Sequence, residues 1–94
     1  MTTNINRNVI STAYKLQIWK LDKNREFTSD DPYLDEPISI EDYPKQGILL
    51  SVFKEAHCMA DRYYPIIDCA GYRAIIMESR GDHFEEVGSF EKMY

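Results

Sequence analysis

Between Ala13 and Leu21 apolar and polar residues alternate, with Tyr14, Leu16 and Ile18 falling on one side and Lys15, Gln17 and Trp19 on the other. A period of two sends successive side chains to opposite faces of a pleated strand, so this segment is expected to be a half-buried strand. Ile10, Tyr14, Ile18 and Leu21 are also spaced for one stripe of a helix starting at Val9, but the β-branched and aromatic residues favour the strand. A different period governs residues 44–64. There Ile48, Leu49, Val52, Phe53, Ala56, Met59, Ala60 and Tyr63 recur at helical spacing, while Ser51, Lys54, Glu55, Cys58, Asp61 and Arg62 fall opposite them. Pro44 suits a first helical turn, Gly47 weakens only the start, and Pro65 closes the far end, which predicts an amphipathic helix packed on a sheet.

Beyond Pro65, short apolar runs at Ile66–Cys69, Tyr72–Glu78 and His83–Val87 are separated by Ala70-Gly71 and Ser79-Arg80-Gly81-Asp82, a pattern that predicts a meander of three strands. In the middle run Tyr72, Ala74 and Ile76 share one side and Ile75 and Met77 the other. One helix covers one face of a sheet, so Trp19, Ile75, Met77 and Phe84 are expected on an open apolar face, the usual mark of a dimer or partner interface. Residues 22–43, or Phe90 and Met93, would cancel that face by folding over it, and a one-residue slip of register would swap the two faces.

Between the first strand and the helix lies a turn-like Asp22-Lys23-Asn24-Arg25, then a polar stretch to Tyr43 interrupted by Pro32 and Pro37. Proline at those positions excludes a continuous helix or a central strand and leaves short edge strands, expected around Phe27 and Ile38–Ile40. A connection of about twenty residues is uncommon in a compact domain and is usually functional or disordered. The expected fold is a single α+β domain over residues 1–94, mostly antiparallel sheet, in the order strand, long loop, helix and three strands. One helix covers one face, residues 1–12 form a flexible N-terminus, and residues 22–43 form a long acidic loop.

Composition supports folding. With 44% hydrophobic and 13% aromatic residues the chain of 94 residues has the make-up of one globular domain, and a chain of that size buries roughly 60–70% of its unfolded surface. The polar start, Met1 to Asn8, lacks the apolar core of a signal peptide, and Ile48–Phe53 is too short to cross a bilayer, so a cytoplasmic protein without membrane contact is expected. Cys58 and Cys69 are then expected to stay reduced and act as small apolar residues.

The net charge of −5 is unevenly spread: residues 1–29 hold five bases against two acids, and residues 30–43 hold six acids and no base. Phosphate binding needs clustered Lys and Arg, so direct nucleic-acid binding is not expected and a basic protein partner is. The acidic stretch interleaves carboxylates with Tyr and Leu, which makes Tyr33, Asp35, Glu36, Glu41, Asp42 and Tyr43 the candidate contact residues. Tyrosine offers contact area at low entropic cost, and carboxylates can stand where phosphates would on a basic surface. A solvated loop that keeps a small protein soluble has the same composition, and Lys15, Lys20, Lys23 and Arg25 are available to neutralise it internally.

Signals for chemistry are weaker. Asp68 with Glu78-Ser79-Arg80 has the outline of a hairpin that holds Mg²⁺ for nucleic-acid cleavage, but Arg80 stands where a lysine is wanted and does not lose its proton. His57, Cys58, Cys69 and His83 include zinc-type donors without a close ligand pair, and adjacent His57 and Cys58 diverge by about 100° on a helix. A Cys–His nucleophile pair lacks an orienting third group. Arg80-Gly81-Asp82 suits a hairpin turn, and four glycines leave no phosphate-binding loop. The sequence thus predicts a non-enzymatic acidic protein, without cofactor or metal, that inhibits or regulates a basic partner such as a nuclease or nucleic-acid-binding protein, in the manner of anti-defence, immunity or antitoxin proteins. The alternatives are a self-associating module, a homodimer through Trp19, Ile75, Met77 and Phe84, and a small metal-dependent nuclease using Asp68 and Glu78.

Overall fold

Strands β1 (Tyr14–Leu21), β2 (Leu34–Pro37), β3 (Gly71–Ser79) and β4 (Phe84–Met93) form one antiparallel sheet in the order β2-β1-β3-β4, and helix α1 (Ile48–Arg62) packs on one face of it. This computed structural model describes residues 14–39, 48–63, 66 and 68–94. The segment 1–12 and the candidate residues Glu41, Asp42 and Tyr43 lie outside the described residues.

The alternation read from the sequence sets the core. Tyr14, Leu16 and Ile18 of β1 and Tyr72, Ala74 and Ile76 of β3 are buried against Val52, Ala56, Met59 and Ala60 of α1, joined by Ile38 and Ile66. Register follows from the same pattern: Leu16 lies opposite Ile76 and Ile18 opposite Ala74, so one face of both central strands is apolar. Each fully buried aliphatic side chain contributes roughly 1.5–3 kcal/mol of transfer free energy. At the rim of this core the Tyr14 hydroxyl donates to Glu78 Oε2 at 2.8 Å. Burial, and then the Glu78 carboxylate, push the Tyr14 hydroxyl above its usual value of 10.0.

Between β3 and β4 the register shifts at Ile76/Met77: Gly88 faces Ile76 and Glu86 faces Met77, leaving Val87 as the extra residue of a bulge. Val87 packs on the core from there, and Phe53 of α1 reaches the sheet at Gly88.

Four expectations are corrected. Ile66, Asp68 and Cys69 form no strand, because Asp68 takes a left-handed backbone (φ 68°) and the Ile66 N–H bonds to the Tyr94 hydroxyl at 2.7 Å instead of a ladder carbonyl. Ile66 is nevertheless buried, which accounts for its apolar character. The last strand runs to Met93 rather than ending at Val87, since the bulge carries the pairing past Gly88. The edge strand falls at Leu34–Pro37, ahead of the expected Ile38–Ile40, of which Ile40 lies outside the described residues; Ile38 is turned into the core and Phe27 makes only an isolated bridge to Leu21. Leu49, placed on the buried stripe by its spacing, is 48% exposed, because the helix meets the sheet one turn later at Val52. Among the described residues no helix is long and apolar enough to cross a membrane.

Candidate protein-interaction site

The connection from β1 to β2 is built by its own polar side chains. Asp22 Oδ1 accepts the backbone N–H groups of Asn24 and Glu26 at 2.8 and 3.0 Å, and Arg25, at φ 65°, turns the chain so that Asp22 N–H reaches the Glu26 carbonyl at 2.9 Å. Aspartate is suited to this reversal because its short carboxylate can satisfy backbone donors two and four residues ahead. The returning chain runs beside β1, with Thr28 N–H on the Lys20 carbonyl at 3.1 Å and Tyr33 N–H on the Ile18 carbonyl at 2.7 Å.

Between these two bonds Ser29-Asp30-Asp31-Pro32 arches away from β1. Pro32 has no N–H to give to a ladder, and the Asp31 N–H is taken by Ser29 Oγ at 3.0 Å, so the arch satisfies itself locally. A cavity of about 190 Å³ lies beneath it, lined by Trp19, Lys20, Thr28, Ser29, Asp31, Pro32 and Tyr33. A shallower groove of about 450 Å³ continues past Phe27 and Asp30.

Trp19 is held in place on two sides. Its indole stacks on Phe27 with ring centroids 4.5 Å apart and an interplanar angle of 13°, and its Nε1–H donates to Gln17 Oε1 at 3.1 Å. Gln17 Nε2 lies 3.4 Å from Asp35 Oδ2, and Lys15 Nζ lies 3.5 Å from Asp35 Oδ1. One polar chain therefore links the indole to the edge strand. Arg73 lies over the Phe27 ring, 5.2 Å from its centre, and forms an ion pair with Glu91.

Of the residues named from the sequence, Tyr33, Asp35 and Glu36 share this corner. Tyr33 is 48% exposed, meets Tyr63 edge-on at 6.5 Å, and has Lys20 Nζ 4.9 Å from its ring centre. Asp35 pairs across the sheet with Gln17 and Glu36 with Leu16, so successive carboxylates point to opposite faces of the edge strand. Internal neutralisation is partial: among the described residues Lys15 pairs with Asp35, while Lys23 and Arg25 form no ion pair, and neither do Asp30, Asp31 and Glu36. Asp30 and Asp31 belong to the acidic stretch but not to the contact residues named from it, and the cavity beneath them has no counterpart in the sequence pattern. The signal that would have found them is Pro32 directly after Ser-Asp-Asp, a local polar closure followed by a residue that cannot pair.

Trp19, Ile75, Met77 and Phe84 do share the face opposite α1, but they do not form a continuous apolar patch. Phe27 covers Trp19, Lys15 Nζ sits 4.2 Å from the centre of the Phe84 ring, and Gln17, Arg73, Glu86 and Ser89 stand between the apolar side chains. Phe90 does not fold over this face; it packs on the α1 side and stacks with His57 at 3.8 Å.

The catalytic and metal candidates are not brought together. Asp68 precedes β3 and Glu78 is near its far end, seven residues beyond Gly71, a span of ~23 Å along a strand. No common cation can bridge them. His57 is occupied by Phe90, the Cys69 thiol lies 3.4 Å from the Ile66 carbonyl, Cys58 is exposed, and His83 belongs to the β3–β4 hairpin. Among the described residues no three His, Cys, Asp or Glu side chains gather as metal ligands would. Arg80-Gly81-Asp82 forms the turn of that hairpin, with Gly81 at φ 98°, Arg80 N–H on the His83 carbonyl, and the Arg80 guanidinium between Glu78 and Glu85.

No protein-family model, curated protein or solved structure matches the chain.

Proposed function

We propose that this is a non-enzymatic cytoplasmic binding protein that inhibits or regulates a basic partner, engaging it through Tyr33, Asp35 and Glu36 and, further along the same acidic run, Glu41, Asp42 and Tyr43. The observation that carries this reading is the corner formed by β2 and the arch. Four carboxylates, Asp30, Asp31, Asp35 and Glu36, stand at one sheet edge beside the exposed ring of Tyr33, with Lys15 alone drawn against them as an ion-pair partner among the described residues.

The mechanism is occlusion. A protein whose own ligand is a polyanion carries a basic groove, and carboxylates on both sides of an edge strand occupy positions that phosphates would take in it. Tyr33 supplies contact area that becomes desolvated on docking, and exposed ion pairs around it weaken as salt screens them. Nucleases and nucleic-acid-binding proteins are the class with such a groove. Self-association through the open sheet face is the weaker reading, because charged and amide side chains interrupt the apolar ones there.

The test is capture by the tagged chain from a nuclease-treated lysate, followed by a salt step. One stoichiometric basic protein released by salt supports the reading. A blank, or capture that resists salt, contradicts it.

A further inference from the structure

The cavity beneath the arch is smaller than the roughly 300–1,000 Å³ of small-molecule sites and is closer to the size of one inserted side chain. Its composition selects which one. Two aromatic residues, Trp19 and Tyr33, line it with Pro32, the hydroxyl residues Thr28 and Ser29, and the acidic Asp31, with Asp30 on the adjoining groove. Aromatic faces attract cations through their quadrupole, tryptophan most strongly, and a planar guanidinium both stacks on a ring and donates to a carboxylate in its own plane. Lys20 also lines the cavity, and its ammonium is drawn over the Tyr33 ring, so the indole and the arch carboxylates are what remain for a guest cation.

The walls are already fixed. Phe27 and Gln17 lock the indole, the bonds from Thr28 and Tyr33 to β1 pin both feet of the arch, and Ser29 closes it. A pre-formed site loses little entropy when it is filled. From this geometry we infer that the cavity receives an arginine side chain of the basic partner, stacked on Trp19 and bonded to Asp31. The inference rests on the binding reading above and names its anchor.

Trp19 is the chain's one tryptophan, so its fluorescence reports the cavity directly. The full chain is titrated with N-acetyl-arginine amide, with N-acetyl-norleucine amide as the uncharged control and the Trp19 indole N–H followed by NMR in parallel. A saturable response to the arginine compound alone is expected, with Kd on the order of a millimolar for so small a ligand. Asp31→Asn should weaken it by about fivefold, the upper end for an exposed ion pair. The Asp31 carboxylate takes no part in the bonds that close the arch, so this variant keeps the fold. No saturable response, an equal response to norleucine, or an unchanged Kd in Asp31→Asn overturns the inference. Any of these combined with salt-labile capture of a basic partner removes the arginine anchor alone, whereas a blank capture removes the binding reading as well.

Discussion

The ring of Phe53 on α1 lies against the backbone of Gly88 on β4, so close that a Cβ at position 88 would overlap the ring. This contact ties the helix to a strand two positions out from β1, and it forms where the Val87 bulge shifts the register. Gly88→Ala is expected to destabilise the protein by about 1–3 kcal/mol, the usual range for overpacking. Phe53→Leu should recover part of that loss. A double-mutant cycle by urea denaturation measures it, and additive effects would show that the ring and the glycine are not in contact.

Phe27 acts as a cover for Trp19. Removing the ring in Phe27→Ala should cost about 0.5–1.5 kcal/mol beyond lost area and expose the indole, which moves its emission to longer wavelength. Unchanged emission would mean that the loop does not close over β1.

The hairpin carries a pH response. Asp82, 2.6 Å from Nδ1, and then Glu85, 3.4 Å from Nε2, hold the His83 imidazole above its usual 6.5. His83 and then Arg80 hold Glu85 below its usual 4.5. The raised histidine value stabilises the fold below pH 6.5, and that contribution is lost as pH rises through the folded-state value. The lowered glutamate value contributes above pH 4.5 and is lost as pH falls through its own folded-state value. Both act together between pH 4.5 and 6.5. An NMR titration of His83 should give a midpoint above 6.5 that falls more in Asp82→Asn than in Glu85→Gln. A wild-type midpoint at or below 6.5 would contradict the assignment.

Most of the fold was legible because periodicity reports faces. The alternation in β1 and β3 assigned Tyr14, Leu16, Ile18, Tyr72, Ala74 and Ile76 to one side and Ile75 and Met77 to the other, as found. Ile66 misled because burial outside a sheet leaves the same apolar trace as burial inside one, and only the backbone of Asp68 separates the two. The length of β4 was hidden by Gly88, which reads as a strand end when the ring that requires it is out of sight. Of the candidate contact residues, Asp35 and Glu36 were read as part of a loop and lie instead on the edge strand β2, with Tyr33 just before it. The cavity depends on Trp19, Lys20 and residues about ten positions later meeting across a turn, a relation that no local pattern expresses.

Carboxylates along the β2 edge and the run beyond it are proposed to bind a basic partner without holding the fold together. Replacing Asp35, Glu36, Glu41 and Asp42 together by Asn or Gln tests this, with capture and thermal denaturation measured side by side against the wild type. Salt-labile capture should disappear while the melting temperature stays within a few degrees, since surface pairs such as Lys15–Asp35 contribute at most about 1 kcal/mol. Undiminished capture by the neutralised chain would contradict the proposal.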